Sequence, residues 1–231
     1  MRVVIVRPAV IISTLKKPFE GWTDTVSAAG AIAYPLAMGW IDYELFAKDL
    51  PFELIPSDLV VNCILITAVY GYQTPKPELN IFQSCSSVAN QVTVQQFYKN
   101  EETYLKKNPW PVATAEAKID FTSDKETHTR YHRFKMLKLT AQEKIAELMG
   151  NKSLAKNIAK FKKIVQFSYE SSVSFERFKT NIFTKESSRT HALWESLTPE
   201  EQEIFDCDVR QINWEKMAAN FTYGIGKYYL N

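Results

Sequence analysis

The stretch Val3-Val-Ile-Val6, running on into Arg7-Pro8-Ala-Val-Ile11, decides the fold class. A continuous β-branched run is the pattern of a strand covered on both faces of a parallel sheet. Such a strand is normally central, yet this one begins at residue 3, so its neighbours have to come from later in the chain. Ile81-Phe-Gln-Ser-Cys85, short and alternating, is one candidate. Between the two, Pro56-Ser57-Asp58 predicts a helix start, with Ser57 or Asp58 as N-cap, leading into an apolar helix from Leu59 to Tyr70. Strand, helix and strand together make the first part of the chain α/β.

Proline separates that part from the rest. Nine of the ten prolines lie between Pro8 and Pro111, and from about Ala113 onward Lys, Glu and other helix formers dominate. The expected organisation is therefore an α/β segment over residues 1–112 and a mostly helical one over 113–231, with Asn108-Pro-Trp-Pro111 near the junction. In the second segment Leu154, Ile158, Phe161 and Val165 recur at helical spacing among Lys152, Lys156, Lys162 and Lys163. That predicts an amphipathic helix whose basic side is either a solvated face or a surface for an anionic membrane. Thr198-Pro199-Glu200-Glu201 reads as a capping box with proline at the first helical position.

A chain of 231 residues is long enough to bury a core without disulfide or metal. Its 28 Lys and Arg against 26 Asp and Glu exclude a strongly electrostatic nucleic-acid binder unless the basic residues are segregated. Cys63, Cys85 and Cys207 are odd in number and far apart in sequence, which argues against a disulfide framework and for a reducing, intracellular compartment. The uncharged run from Thr25 to Ile41 is short for a membrane span and is broken by Ser27, Gly30, Pro35 and Gly39. The expectation is a soluble or membrane-peripheral protein.

The residues alone spell out no complete active site. His128 and His132 share a helical face, but no third ligand is nearby and Arg130 and Arg133 would repel a cation, so no metal is expected. His191 stands alone. Gly224-Ile-Gly226 has Tyr229 where a dinucleotide fingerprint needs its third glycine. Tyr-x-x-x-Lys, in which the lysine lowers a tyrosine pKa for proton exchange with a carbonyl, occurs at Tyr72/Lys76, Tyr131/Lys135 and Tyr223/Lys227. The first contains Pro75, the second lies in a basic region far past the strands, and the third holds two glycines. No catalytic residue is assigned.

More specific is a set of segments in family order. Arg2-Val-Val-Ile-Val-Arg7-Pro8-Ala-Val-Ile11 with Lys17-Pro18-Phe-Glu-Gly21-Trp22-Thr-Asp24 resembles a strand and the "RPS-I-V…EP-PGW-D" loop of fatty acyl-CoA reductases. Leu54-Ile55-Pro56-Ser-Asp58-Leu-Val-Val-Asn62 is similar to their "IP-D-VVN" segment, and Ile81-Phe-Gln-Ser-Cys-Ser86-Ser87-Val-Ala-Asn90 to "Y-SS…NP". Leu193-Trp194-Glu195, then Phe205-Asp206-Cys-Asp208-Val209-Arg210-Gln-Ile212-Asn213-Trp214 through Gly224-Ile225, resembles the "FDVR-INW…GI" ending of the male-sterility domain.

The resemblance implies NADPH-dependent reduction of a long-chain acyl-CoA to a fatty alcohol. It implies the C-terminal portion of a Rossmann-like extended short-chain dehydrogenase domain followed by a mostly helical domain. Pro8 and Val10 would line the nicotinamide pocket; Gly21, Trp22 and Asp24 would form the substrate-side loop; Asp58 would cap its helix and Asn62 support it. Gln91 stands in place of a proline, Ala28-Ala29 in place of Gly-Pro and Glu53 in place of Asp, so a reshaped substrate loop is expected. The family's glycine fingerprint and catalytic Tyr-x-x-x-Lys would precede Met1, so this chain alone is expected to bind no NADPH and to be inactive. Three readings follow: the C-terminal part of a longer reductase, one half of a split enzyme, or a non-catalytic accessory subunit of a larger membrane or mitochondrial assembly. In each, a protein partner or upstream half covers Val3 to Val6, the isolated chain is not a stable monomer, and a lipid or acyl-CoA is a possible ligand of the helical half.

Overall fold

The computed structural model describes residues 3–74 and 79–230. Arg2 of the first quoted motif, and Pro75 and Lys76 of the first Tyr-x-x-x-Lys match, lie outside the described residues. Strand β1 (Val3–Pro8) pairs in parallel with β5 (Leu79–Ser84), Val3 opposite Leu79 and Pro8 opposite Ser84. The alternating segment expected as a neighbour is thus the neighbour. Two more parallel pairs complete the β structure: β2 (Val10–Ile12) with β4 (Leu54–Pro56), and β3 (Tyr43–Leu45) with β6 (Asp120–Thr122).

Val3 to Val6 are half-buried by the residues described. Among the described residues β1 has one strand neighbour, β5. Helix α2 (Ser57–Gln73) covers it on one side, so closely that a Cβ on Gly71 would lie 2.4 Å from the Val4 Cγ2 methyl. The N-cap expectation fails. Pro56 occupies that position without a side-chain bond, because the Asp58 carboxylate is engaged elsewhere.

The uncharged run after Thr25 holds an eight-residue helix, α1 (Gly30–Ala37), which is buried in the core. Helix α3 (Val94–Lys107) opens on a Thr93–Gln96 capping box and packs against α1. After β6 come the two long helices α4 (Lys125–Leu148) and α5 (Lys152–Ser174), an antiparallel hairpin turned at Gly150, whose φ of +73° suits glycine. In α5 Ile158 and Phe161 are half-buried and Val165 is buried, as the spacing predicts. Leu154 is exposed, since it sits in the first turn beside the hairpin tip.

Short helices α6 (Glu176–Thr180), α7 (Ser188–Glu195) and α8 (Pro199–Ile204) follow. The expected capping box at Thr198 is present, with Glu201 N–H donating to Thr198 Oγ1 and Thr198 N–H to Glu201 Oε2. A 3₁₀ turn (Val209–Gln211) leads to α9 (Trp214–Gly224) and a π turn (Ile225–Tyr229). One continuous apolar core takes Ile12, Leu36, Leu54 and Phe97 together with Trp214, Met217, Phe221 and Ile225. The last helix is therefore built into the same core as the first strands.

Candidate functional site

Four motifs widely separated in the sequence meet at one place. The loop from Thr14 to Asp24 closes on itself: Gly21 N–H donates to Thr14 O, Thr14 N–H to Trp22 O, and Trp22 N–H to Thr14 Oγ1. Asp58, projecting from the first turn of α2, accepts the backbone N–H groups of Leu15, Lys16 and Lys17 at 2.8, 2.8 and 3.0 Å. A carboxylate accepting a row of loop amides is a charge-assisted anchor. It explains why an aspartate sits at a helix start without capping that helix.

The loop is also tied to the tail. Lys16 Nζ pairs with Asp206 Oδ2 at 2.7 Å and contacts Gln211, while Gln211 Nε2 donates to both oxygens of Asp206. Asn62 Nδ2 donates to Asp206 O at 2.9 Å. Lys216 Nζ meets Glu20 Oε1 at 2.7 Å, which holds the Glu20 carboxyl below its usual range. Gly21 has φ +78°, and a Cβ there would lie 2.4 Å from Asn220 O; one on Gly224 would lie 1.7 Å from Gly21 O. Only two glycines allow the loop and α9 to come so close.

Asn90 is the hub on the other side. Its Nδ2 donates to Val209 O and Ile212 O, and Trp214 Nε1 donates to Asn90 O and Oδ1 at 3.1 Å. Asp208 caps the 3₁₀ turn and holds Arg210 through two oxygens; burial raises its pKa, and the Arg210 hydrogen bonds more than offset this and lower it.

Pro8 closes β1 and Val10 opens β2, so the two flank the carboxyl end of β1, the end at which ligands of open α/β sheets bind. Lys185 covers that end: its Nζ donates to Pro8 O at 3.3 Å, and its backbone N–H faces Glu53 Oε1 and Ser87 Oγ. Val10 N–H donates to Glu53 O. Burial raises the Glu53 carboxyl, and its Oε2 has no partner. Trp22 is half-buried and Asp24 exposed. The sequence reading missed Lys185 and Thr14 altogether, because neither belongs to a motif.

Beside Pro8 lies a cleft of about 140 Å³, bounded by Ser84, Cys85, Ser187, His191, Cys207 and Arg210 among others. It is smaller than a drug-sized pocket of roughly 300 Å³. The three cysteines, distant in sequence, converge on this side: Cys63 lies close enough to Cys85 and Cys207 for each to resist the other's ionisation. Burial pushes the Cys63 and Cys85 thiols up to about 11 and raises Cys207 as well, so none is a thiolate nucleophile near neutrality. His191 Nε2 lies 2.8 Å from Glu195 Oε1.

The pairs discounted in the sequence have defined structural partners. His132 stacks on Tyr169 at 4.0 Å and His128 at 5.5 Å, and among the described residues no set of three or more His, Cys, Asp or Glu is placed to hold a metal. Tyr131 Oη and Lys135 Nζ both donate to Asp42, at 2.6 and 2.5 Å. Burial and the Asp42 carboxylate raise the Tyr131 phenol, the reverse of what proton transfer to a carbonyl requires. Gly224 ends α9 and Gly226 lies in the π turn against Trp110, so they do not form a phosphate-binding turn.

Two family models, both described as male sterility protein, match this chain: an NAD-binding one over residues 1–64 and a second over residues 134–231. Curated relatives match all of it: fatty acyl-CoA reductase 1 of Xenopus laevis at 25% identity over 234 residues, fatty acyl-CoA reductase 1 of Homo sapiens at 24% over 236, and fatty acyl-CoA reductase 2 of Mus musculus at 27% over 242. The chain belongs to the fatty acyl-CoA reductase family. It spans 44% of the length of each of these relatives. The segments on which the resemblance was read bond to each other here, Asn62 to Asp206 and Asn90 to the Val209–Trp214 stretch.

Proposed function

We propose that this chain supplies the substrate-side and C-terminal part of an NADPH-dependent enzyme that reduces long-chain acyl-CoA to fatty alcohol. On this reading residues 1–112 belong to a Rossmann-like reductase domain without its nucleotide fingerprint, and residues 113–231 to the helical male-sterility domain. Pro8 and Val10 face the nicotinamide side, and Gly21, Trp22 and Asp24 the acyl-CoA side. The proton donor and phosphate-binding turn come from polypeptide corresponding to the part of the relatives that this chain does not span. The chain by itself binds no NADPH and reduces nothing.

The observation that carries this reading is the loop of residues 14–24, held by Asp58 on one side and by Asp206, Asn220 and Gly224 on the other. That loop is fixed by both family segments at once, which suits a part that must be rigid when a substrate arrives. The test is NADPH oxidation with palmitoyl-CoA. The chain alone is expected to give none, and co-expression with the NAD-binding half of a relative is expected to restore it. Turnover by the chain alone, or none in a complex that does form, overturns the reading. We also infer that the protein is peripheral to a membrane: no helix of the described residues is long and apolar enough to cross one, and the substrate class is lipid.

A further inference from the structure

Helix α4 carries its apolar residues on two sides. Its buried positions, His128, Leu139 and Ala146, face α5 and the body of the protein, and Glu143 on that side pairs with Lys162 of α5 at 2.7 Å. Diametrically opposite, Phe134, Leu137, Ala141, Ile145 and Leu148 follow one another at helical spacing within an arc of about 80°. All five are exposed, Phe134 by 68%, Leu137 by 69% and Leu148 by 88%, and the stripe continues over the hairpin turn to Met149 at 79%. A surface helix of a globular protein ordinarily turns such a stripe inward.

The charge around the stripe says what covers it. Arg133 and Lys144 lie along one edge and Lys138 along the other, all exposed, whereas Glu143 and Glu147 fall on the far side of the helix. Residues 138–163, the distal half of the hairpin, hold seven lysines and two glutamates, a net of +5 in a chain whose total is +2. The basic residues are therefore segregated, and they are segregated around exposed Phe, Leu and Ile. A protein groove for this stripe would have to be apolar and acidic-rimmed over some 20 Å of helix. An anionic bilayer surface offers both features everywhere.

We propose that the α4–α5 hairpin lies on an anionic membrane, with the Phe134–Met149 stripe sunk at the headgroup boundary and Lys138, Lys144 and Lys152 against lipid phosphates and carboxylates. This rests on the peripheral-membrane reading above and names the surface that serves it. It gives the helical half a second role, that of holding the loop of residues 14–24 near the membrane where long acyl chains reside.

Flotation of the chain with vesicles of phosphatidylcholine alone, and of phosphatidylcholine with phosphatidylserine, tests it. Binding to the second and little to the first is expected, weakening as salt rises. Replacing Lys138, Lys144 and Lys152 by Gln should weaken binding about a hundredfold, at about a fivefold loss for each cation near the surface. Replacing Phe134, Leu137 and Leu148 by Ser should abolish it, with circular dichroism and the thermal midpoint unchanged because all these residues are exposed. If both sets of variants bind like the parent chain, another surface makes the contact and this proposal falls while the peripheral reading stands. If the parent chain binds neither vesicle, both fall. If the parent chain is a dimer that the serine variant converts to monomer without any vesicle binding by the parent, the stripe is an interface between copies and the proposal is overturned.

Discussion

Single residues show where a backbone conformation and a side chain are at odds. Ala28, which stands where the resembling motif has glycine, adopts φ +52°. An L-residue in that region costs about 1–2 kcal/mol. Glycine adopts that backbone conformation freely. Ala28→Gly is therefore expected to stabilise the protein by somewhat less than this, about 1 kcal/mol after the entropy of glycine in the unfolded chain is counted, read as a shift in the urea midpoint at unchanged slope. His128 gives a second residue-scale prediction. Burial first, then the nearby Lys179 ammonium and His132, lower its pKa to about 4. Its neighbours Tyr43 and Tyr169 are neutral rings, and its Nδ1 has no partner. The folded pKa lies below the unfolded one, so this contribution is complete above about pH 6.5 and is lost as pH falls towards 4. Roughly 2 kcal/mol should go by about pH 5. Urea unfolding across that range should show the loss, and His128→Phe should flatten it; an equally steep loss in the variant would place the proton elsewhere.

At the scale of elements, the strands and helices whose residues repeat with a clear period were legible in the sequence, and the ones defined by long-range partners were not. Val3 to Val6, the alternating strand after Leu79, the helix after Pro56 and the capping box at Thr198 are all written in local pattern. The cover of β1 is not legible locally, because a β-branched run reports what a strand can tolerate on its faces, not how many neighbours this chain supplies. Asp58 was misread for a similar reason: a carboxylate at a helix start fits a cap, and nothing local reveals that three amides some forty residues upstream compete for it. The candidate site was legible only as a set of motifs; that Trp214 bonds to Asn90, and Asn62 to Asp206, could not be read from spacing. The same lesson applies to Tyr131 and Lys135, whose spacing is that of a dehydrogenase pair but whose hydrogens go to Asp42, tying α4 to the residue before β3. Tyr131→Phe should cost about 1.5–3 kcal/mol, the range for a hydrogen bond to a charged group, and leave acyl-CoA reduction by the assembled enzyme unchanged. A loss of activity of a hundredfold or more at unchanged stability would make it a proton donor after all.

On the scale of the whole molecule, the exposed apolar faces of α4 and α2 differ in kind. The α4 stripe is edged with cations. The outer face of α2, formed by Val61, Ile64, Leu65, Ala68 and Val69, has no charge between Leu59 and Thr74. It lies beside β1, whose second edge has no strand partner among the described residues. An uncharged helix face next to an open parallel strand is a surface suited to further cover, since parallel sheets are ordinarily covered on both faces. Water at that surface is unfavourable by roughly 25 cal/mol for each Å² of apolar area, and an open strand edge invites pairing with another chain. The chain purified alone should therefore self-associate. Sedimentation velocity should show species above the 26.6 kDa monomer that grow with concentration. Leu65→Lys with Val69→Lys should return it to monomer at little cost to its own stability, because both side chains already face solvent. The same two lysines should block the complex with a reductase NAD-binding half while leaving vesicle binding through α4 intact. A monomeric, cooperatively melting parent chain would mean that α2 tolerates water and that the partner, if there is one, docks elsewhere. Loss of vesicle binding in the α2 variant would instead make that face the membrane contact, and the two exposed surfaces would have to exchange roles.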